Sequence, residues 1–278
     1  MIERVRLKNF KSVERCDVTL RPFTVLVGRN GAGKSNFIDA LVFVAESLRA
    51  PLPDPIARRG SFRDMTYQRR GGAIDIEIGF RTQDGVAGEF GVQLERGEVR
   101  QESLLLSNGA RYSRTGRAAS VWIDDKGSAT AIASDGLALG PLATFEQFRG
   151  AFQALASVHA YRRLDPEAMR SPQEPYAADR LSSDGSNLTR VWARLYKEEP
   201  ESIGRVTDYL AAIAPGVRSI VPVRIDTYDV LRFHQAFGDG EISLPASSMS
   251  DGTLRALAIL VASRTPSSAV VVEEPETA

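Results

Sequence analysis

Apolar positions change period several times along the chain. Residues 2–7 and 16–20 alternate apolar and polar side chains, the period of a half-buried strand. Between them Asn9, Phe10, Lys11 and Ser12 read as a turn. Phe23-Thr24-Val25-Leu26-Val27 is short, β-branched and apolar, which predicts a buried parallel strand running into Gly28. Beyond Ser35 the period becomes helical, with Phe37, Ile38, Leu41, Val42, Val44, Ala45 and Leu48 on the helix spacing. Pro51, Pro53 and Pro55 stop that helix.

Residues 58–72 are polar, basic and bounded by glycine, so a loop with a short helix is expected. Strict alternation returns with Ile74, Ile76, Ile78 and Phe80, and continues over 90–94 and 103–106. Residues 120–123 and 129–133 flank an Asp-Asp-Lys-Gly turn and read as a hairpin. An antiparallel β lobe over 73–133 follows. From Thr144 onward the pattern is mainly helical. It allows a strand within 155–161, an irregular, proline-bearing stretch over 165–175, and helices over 187–196 and 201–213. A hairpin is expected from 219–225 and 230–237. The next helix covers 250–262, with Leu254, Leu257, Ala258 and Val261 on one face. A second buried parallel strand is expected at 269–272, beside the one at Val25.

Composition narrows the classes. The chain has 278 residues, 43% of them hydrophobic and 25% charged, which is ordinary for a globular protein with a sizeable core. Lys plus Arg and Asp plus Glu both number 35, so the formal charge is zero and lends no support to a strongly basic nucleic-acid domain. The single cysteine, Cys16, excludes an internal disulfide and suits a reducing cytosol. It reads as a small apolar residue in a strand. His159 and His234 have no Cys or His cluster near them, so no zinc site is argued. The N-terminal Met-Ile-Glu-Arg lacks a secretory pattern, and no apolar run approaches the roughly 20 residues of a membrane helix. A cytoplasmic protein without membrane contact is expected.

Gly28-Arg29-Asn30-Gly31-Ala32-Gly33-Lys34-Ser35 fits G-x-x-x-x-G-K-[ST] without a mismatch, with an apolar run before it and a helix after it. The glycines let successive N–H groups converge on phosphate oxygens, and the helix start adds its positive dipole end. Lys34 can reach the β- and γ-phosphates, and the Ser35 hydroxyl can ligate the Mg²⁺ that bridges them. ATP and Mg²⁺ are therefore the expected ligands. Val270-Val271-Val272-Glu273-Glu274-Pro275-Glu276 sets two acids at the end of an apolar strand. One such acid can hold the magnesium or its water. The other can take the proton of an attacking water. The plainer reading is two solvated acids opening a loop.

Phe10-Lys11-Ser12 ahead of a strand, the G-x-N-G-A-G-K-S-N loop and Val-Glu-Glu-Pro-Glu together resemble the SMC/RecF/OLD-like branch of ABC-type ATPases. Ser248-Met249-Ser250-Asp251-Gly252-Thr253-Leu254-Arg255 resembles that branch's "SDGT" signature, and Leu181-Ser182-Ser183-Asp184-Gly185-Ser186-Asn187-Leu188 resembles a stretch common in its ATPases. The resemblance implies an α/β fold: a P-loop NTPase core like an ABC head. Core segments are 1–50 and 217–278, with the antiparallel lobe over 73–133 and a helical lobe over 144–215. It implies nucleotide binding by residues 28–36, Asn36 included, metal binding by Ser35 and Glu273, and catalysis by Lys34 with Glu274 as base. Ser250, Asp251 and Gly252 are implied to meet the γ-phosphate held by a second subunit, in an ATP-dependent homodimer.

Two departures accompany the likeness. The metal-sensing glutamine of the family has no match near Tyr161-Arg162-Arg163, although Gln153 and Gln173 flank it. Relatives also carry a further loop, strand and histidine beyond the point matched by Glu276, so the core is expected to be incomplete at that end. Without heptads between loop and signature, a compact head is favoured over a true SMC protein. Expected roles are those of DNA-repair, chromosome-maintenance or phage-defence ATPases, with DNA or an effector protein as further partner. A nucleotide-gated interaction module with little hydrolysis is the alternative. Arg58, Arg59, Arg63, Arg69 and Arg70 read either as a nucleic-acid contact or as a solvated face.

Overall fold

A computed structural model of the chain describes residues 1–123, 126–131, 135–176, 178–264 and 267–273, without the side chains of 126 and 128–131. The chain divides into two units, Met1–Val158 with Ser267–Ala269 and His159–Pro266 with Val270–Ala278.

In the first unit, β1 (Ile2–Phe10), β2 (Val13–Thr19), β3 (Ile74–Arg81), β4 (Ala87–Glu95), β5 (Glu98–Leu106), β6 (Arg111–Thr115), β7 (Ala118–Ile123) and β8 (Lys126–Ala131) form one sheet. Its order is β2-β1-β3-β4-β5-β6-β7-β8, and each neighbouring pair is antiparallel. The period-2 pattern gives one apolar face: Ile74, Ile76, Ile78 and Phe80 are buried, and Phe90, Val92 and Leu94 continue the layer on β4. Helix α1 (Lys34–Ser47) leads to two short helices, α2 (Pro53–Ala57) and α3 (Phe62–Met65). Two more helices follow the sheet, α4 (Leu139–Leu142) and α5 (Glu146–Ala156). Contacts of α1 with β1 and α5, and of α5 with β3, cover the apolar face. On the opposite face the alternate residues pair as ions, Arg4 with Asp17, Arg6 with Glu77 and Lys8 with Asp75.

One acid lies on the apolar face. Glu102 is fully buried, which pushes its carboxyl above the ordinary range. It accepts hydrogen bonds from Tyr112 Oη (2.6 Å), Ala138 N (2.7 Å) and Leu139 N (3.1 Å) and faces Arg114 at 3.5 Å. These bonds satisfy the oxygens that burial takes from water, and they tie the start of α4 to the sheet.

The second unit holds α6 (Pro166–Arg170), α7 (Leu188–Glu198), α8 (Pro200–Ile213) and α9 (Asp251–Ala262). The strands β10 (Val217–Ile225), β11 (Tyr228–Phe237) and β12 (Gly240–Pro245) make an antiparallel meander. Its core gathers Leu188, Val191, Trp192, Val206, Leu210, Ile220, Leu231, Phe233, Leu254 and Leu257. Between α5 and α6 runs β9 (Val158–Tyr161), paired with β13 (Ala269–Val272). Ser268 N donates to Ser157 O, and Glu273 N to Tyr161 O. The bonds advance in the same direction along both strands, as in a parallel pair.

Several elements differ from the pattern-based reading. Residues 23–27 are not a buried strand: Phe23, Val25 and Val27 are 85%, 65% and 89% exposed, and no strand pairs with them among the described residues. A parallel strand keeps its form only with neighbours for its N–H and C=O groups and cover on both faces. The ladder partner of β13 is β9, not the run at Val25. Residues 165–175 contain a helix, because Pro166 occupies its first turn and Asp165 Oδ1 accepts from Glu167 N and Ala168 N. The apolar pattern does not mark β12, because its side chains are largely exposed and carry no core-facing alternation.

Trp192 is the largest fully buried side chain, and its Nε1 donates to Ile220 O at 3.1 Å. Trp192→Ala should lower stability by about 3–5 kcal/mol in urea unfolding, and Trp192→Phe by clearly less.

Candidate functional site

The segment that matches a phosphate loop folds as a compact, solvent-facing turn. Ala32 N donates to Arg29 O at 3.1 Å, and Gly31 (φ 81°) and Gly33 (φ 96°) take left-handed backbone. Side chains avoid that region, so the turn depends on glycine at both points. At Gly33 space is also short: a Cβ there would lie 3.1 Å from Ser12 Oγ. Phe37 N donates to Gly33 O at 2.8 Å, which starts α1 directly after the turn. Lys34 folds back over the loop, its Nζ donating to Gly28 O (2.6 Å) and Arg29 O (3.3 Å). Its ammonium therefore stands inside the curl of the loop. Ser35 is exposed in the first turn of α1, and Asn36 Nδ2 donates to Ser12 Oγ at 2.7 Å.

Behind the loop lies a set of charged residues centred on Asp39, which the sequence reading did not single out. Asp39 is buried on α1, with Lys11 Nζ at 2.6 Å and the Arg59 guanidinium at 3.0 Å. Arg59 also reaches Glu46 at 2.6 Å and Pro55 O at 2.8 Å. Burial raises the Asp39 carboxyl, but hydrogen bonds from Arg59 and Lys11 outweigh it and hold the group below the ordinary carboxylate range. One signal for this was available: an acid within the run Phe37, Ile38, Ala40 and Leu41, all buried. The supposed basic face changes accordingly. Arg59 is interior, Arg58 pairs with Glu46, Arg69 with Asp64, and Arg63 Nε donates to Arg69 O.

The second unit carries the other candidate groups. Glu273 sits at the carboxyl end of β13, mostly buried, with Oε1 3.2 Å from Arg162 Nε. Glu274 lies outside the described residues, as do Pro275 and Glu276. Ser250 is the N-cap of α9: its Oγ accepts from Thr253 N at 3.2 Å and lies 2.8 Å from Thr253 Oγ1. Asp251 is exposed and paired with Arg170, whose hydrogen bond lowers its pKa. Arg170 Nη2 also donates to Met249 O at 3.0 Å. The 181–188 stretch is a turn opening α7. Ser182 N donates to Asn187 Oδ1 (2.7 Å) and Ser186 N to Asp184 Oδ1 (3.0 Å), which lowers the Asp184 pKa. Gly185 (φ 77°) packs so closely on Met169 that a Cβ would lie 2.3 Å from Cε.

Chemically, the loop offers backbone N–H groups, a helix start and an ammonium to an anion of phosphate size. No group of three or more His, Cys, Asp or Glu among the described residues could hold a metal alone. The Ser35 hydroxyl and Glu273 carboxylate are hard oxygen donors. Each by itself is a donor of the kind that Mg²⁺ accepts.

A family model described as "AAA domain, putative AbiEii toxin, Type IV TA system" matches residues 23–278. The chain is similar to "DNA replication and repair protein RecF" of Brucella abortus, 29% identical over 227 residues, covering 79% of this chain and 52% of the relative. A second RecF, from Arthrobacter, is 37% identical over 85 residues, 28% of this chain and 21% of the relative. "Chromosome partition protein Smc" of Methanocaldococcus jannaschii is 46% identical over 55 residues, 18% of this chain and 5% of the relative. The chain spans about half the length of the Brucella relative.

The cap at Ser250 has a local role that can be isolated. Ser250→Ala should cost about 1 kcal/mol in urea unfolding, and Ser250→Gly only a few tenths.

Proposed function

The chain belongs to the AAA-domain ATPase family, in its SMC/RecF-like branch, and on that premise we propose that it binds Mg-ATP through residues 28–36 and hydrolyses it between two paired copies. The observation that carries this is the loop itself: two left-handed glycines, the start of α1 and the Lys34 ammonium converge on one solvent-facing curl.

In this reading Lys34 leaves the Gly28 and Arg29 carbonyls and takes the β- and γ-phosphates. Ser35 and Glu273 would hold magnesium, which when bound neutralises charge on the bridging phosphate oxygens. Glu273 would first release Arg162, since a guanidinium and a divalent ion compete for the same carboxylate. Glu274 would accept the proton of the attacking water.

The signature residues Ser250, Asp251 and Gly252 would face the nucleotide of the partner copy. Supporting this, the start of α9 is open to solvent, with Ser250 and Asp251 exposed and the positive end of the helix dipole there. Two such contacts define an isologous, two-fold interface around two ATP molecules. DNA or an effector protein would be the further partner, in keeping with relatives named for DNA replication, repair and chromosome partition. No helix among the described residues is long and apolar enough to cross a membrane.

Two measurements test the proposal. Lys34→Ala should abolish detectable Mg-ATP binding in calorimetry, and an affinity equal to wild type would overturn the loop assignment. Glu274→Gln should dimerise with saturating Mg-ATP in light scattering, while Ser250→Arg should stay monomeric with nearly unchanged ATP affinity. A Glu274→Gln protein that remains monomeric at high concentration would rule out the paired arrangement.

A further inference from the structure

The buried ions behind α1 form a continuous mechanical link to the phosphate loop. Lys11 and Ser12 come from the tight turn between β1 and β2. Asn9, near the end of β1, and Lys11, in the turn, adopt φ 60° and 50°, a backbone region non-glycine residues seldom hold unaided. The Asn9 side chain holds it, donating to Gly71 O (3.0 Å) and Ala73 O (2.9 Å) and accepting from Tyr67 N (3.0 Å). From the fixed turn, Lys11 meets Asp39 at 2.6 Å, and Ser12 accepts from Asn36 at 2.7 Å. On the far side Arg59 lies along α1 from Asp39 to Glu46, with its guanidinium 5.2 Å from the centre of the Phe43 ring.

A buried ion pair contributes little net stability compared with apolar packing, so its more distinctive capacity is geometric. Here the geometry bears on one element. Asp39 follows Lys34 by five positions, about 7 Å along a rigid helix. A shift of α1 relative to the β1–β2 turn would carry Lys34 and Ser35 with it.

We propose that Lys11 and Arg59 are positioning residues for nucleotide binding, acting through Asp39 to set the seat of α1 and hence the places of Lys34 Nζ and Ser35 Oγ. This rests on residues 28–35 being the nucleotide cradle. Neither residue touches the nucleotide in this arrangement. Arg59 serves by its planar fork, which spans Asp39 and Glu46 at once, and a lysine cannot reproduce that.

The test uses the 278-residue chain, with Mg-ATP and magnesium tripolyphosphate as probes in calorimetry. Lys11→Met should weaken Mg-ATP binding about tenfold, a smaller loss than the roughly hundredfold that a 1 Å misplacement can cause. Tripolyphosphate affinity should fall in parallel, because the displaced groups contact phosphate. Lys11→Arg should restore both. Arg59→Lys should weaken both probes as well, and it carries the test if Lys11→Met does not fold. A merely structural role would lower the melting temperature and leave the dissociation constants of the folded protein unchanged. Folded Lys11→Met or Arg59→Lys protein with wild-type affinity overturns the proposal. Wild-type protein that binds neither probe, or Lys34→Ala that binds like wild type, instead overturns the cradle reading and this inference with it.

Discussion

A carboxylate without water needs cations, and Asp39 obtains them from two segments distant in sequence. Lys11 arrives from the first hairpin and Arg59 from beyond the proline-stopped end of α1. The seat of α1 depends on this demand. The hairpin turn takes a left-handed form, α2 bends the chain back, and α1 is held on both flanks. The folded carboxyl titrates below its unfolded counterpart, so the cluster stabilises fully above the ordinary carboxylate range. That contribution is lost as pH falls through the depressed value. At neutral pH the anchor is intact.

The candidate site groups stand at the ends of elements, where backbone groups are unsatisfied. Lys34 and Ser35 open α1, Ser250 opens α9, Asn187 opens α7, and Glu273 closes β13. Each end is already engaged with a neighbour: Lys34 with loop carbonyls, Glu273 with Arg162, and Asp251 with Arg170. A ligand taken up at such an end would exchange partners rather than fill a void. That explains how charged groups can be kept ready without being buried unpaired.

Local chemistry alone made much of this legible. Glycine at 31 and 33 follows from the left-handed turn, and the helix after Ser35 from its apolar spacing. The alternation of Ile74, Ile76, Ile78 and Phe80 gave β3, and Ser250 gave the cap of α9. These features are decided within a few residues, by sterics, hydrogen-bond geometry and period. Membership of the SMC/RecF-like branch was legible for the same reason, since its motifs are short and contiguous.

Tertiary structure decided what depends on partners. Residues 23–27 have the composition of a buried strand but are exposed, because a ladder requires neighbours that a sequence window cannot supply. Arg59 reads as one of five surface arginines, yet it is interior, because Asp39 and Glu46 lie two turns apart on one face of α1. Lys11 and Ser12 read as a turn, yet they brace the phosphate-loop helix. The sequence by itself determined where glycine permits a tight turn, where a side chain caps a helix and where alternation marks a half-buried strand, since those properties belong to neighbouring atoms in the chain. Only the fold decided which charges are taken from water and which cations answer them, since that depends on segments brought together from far along the chain.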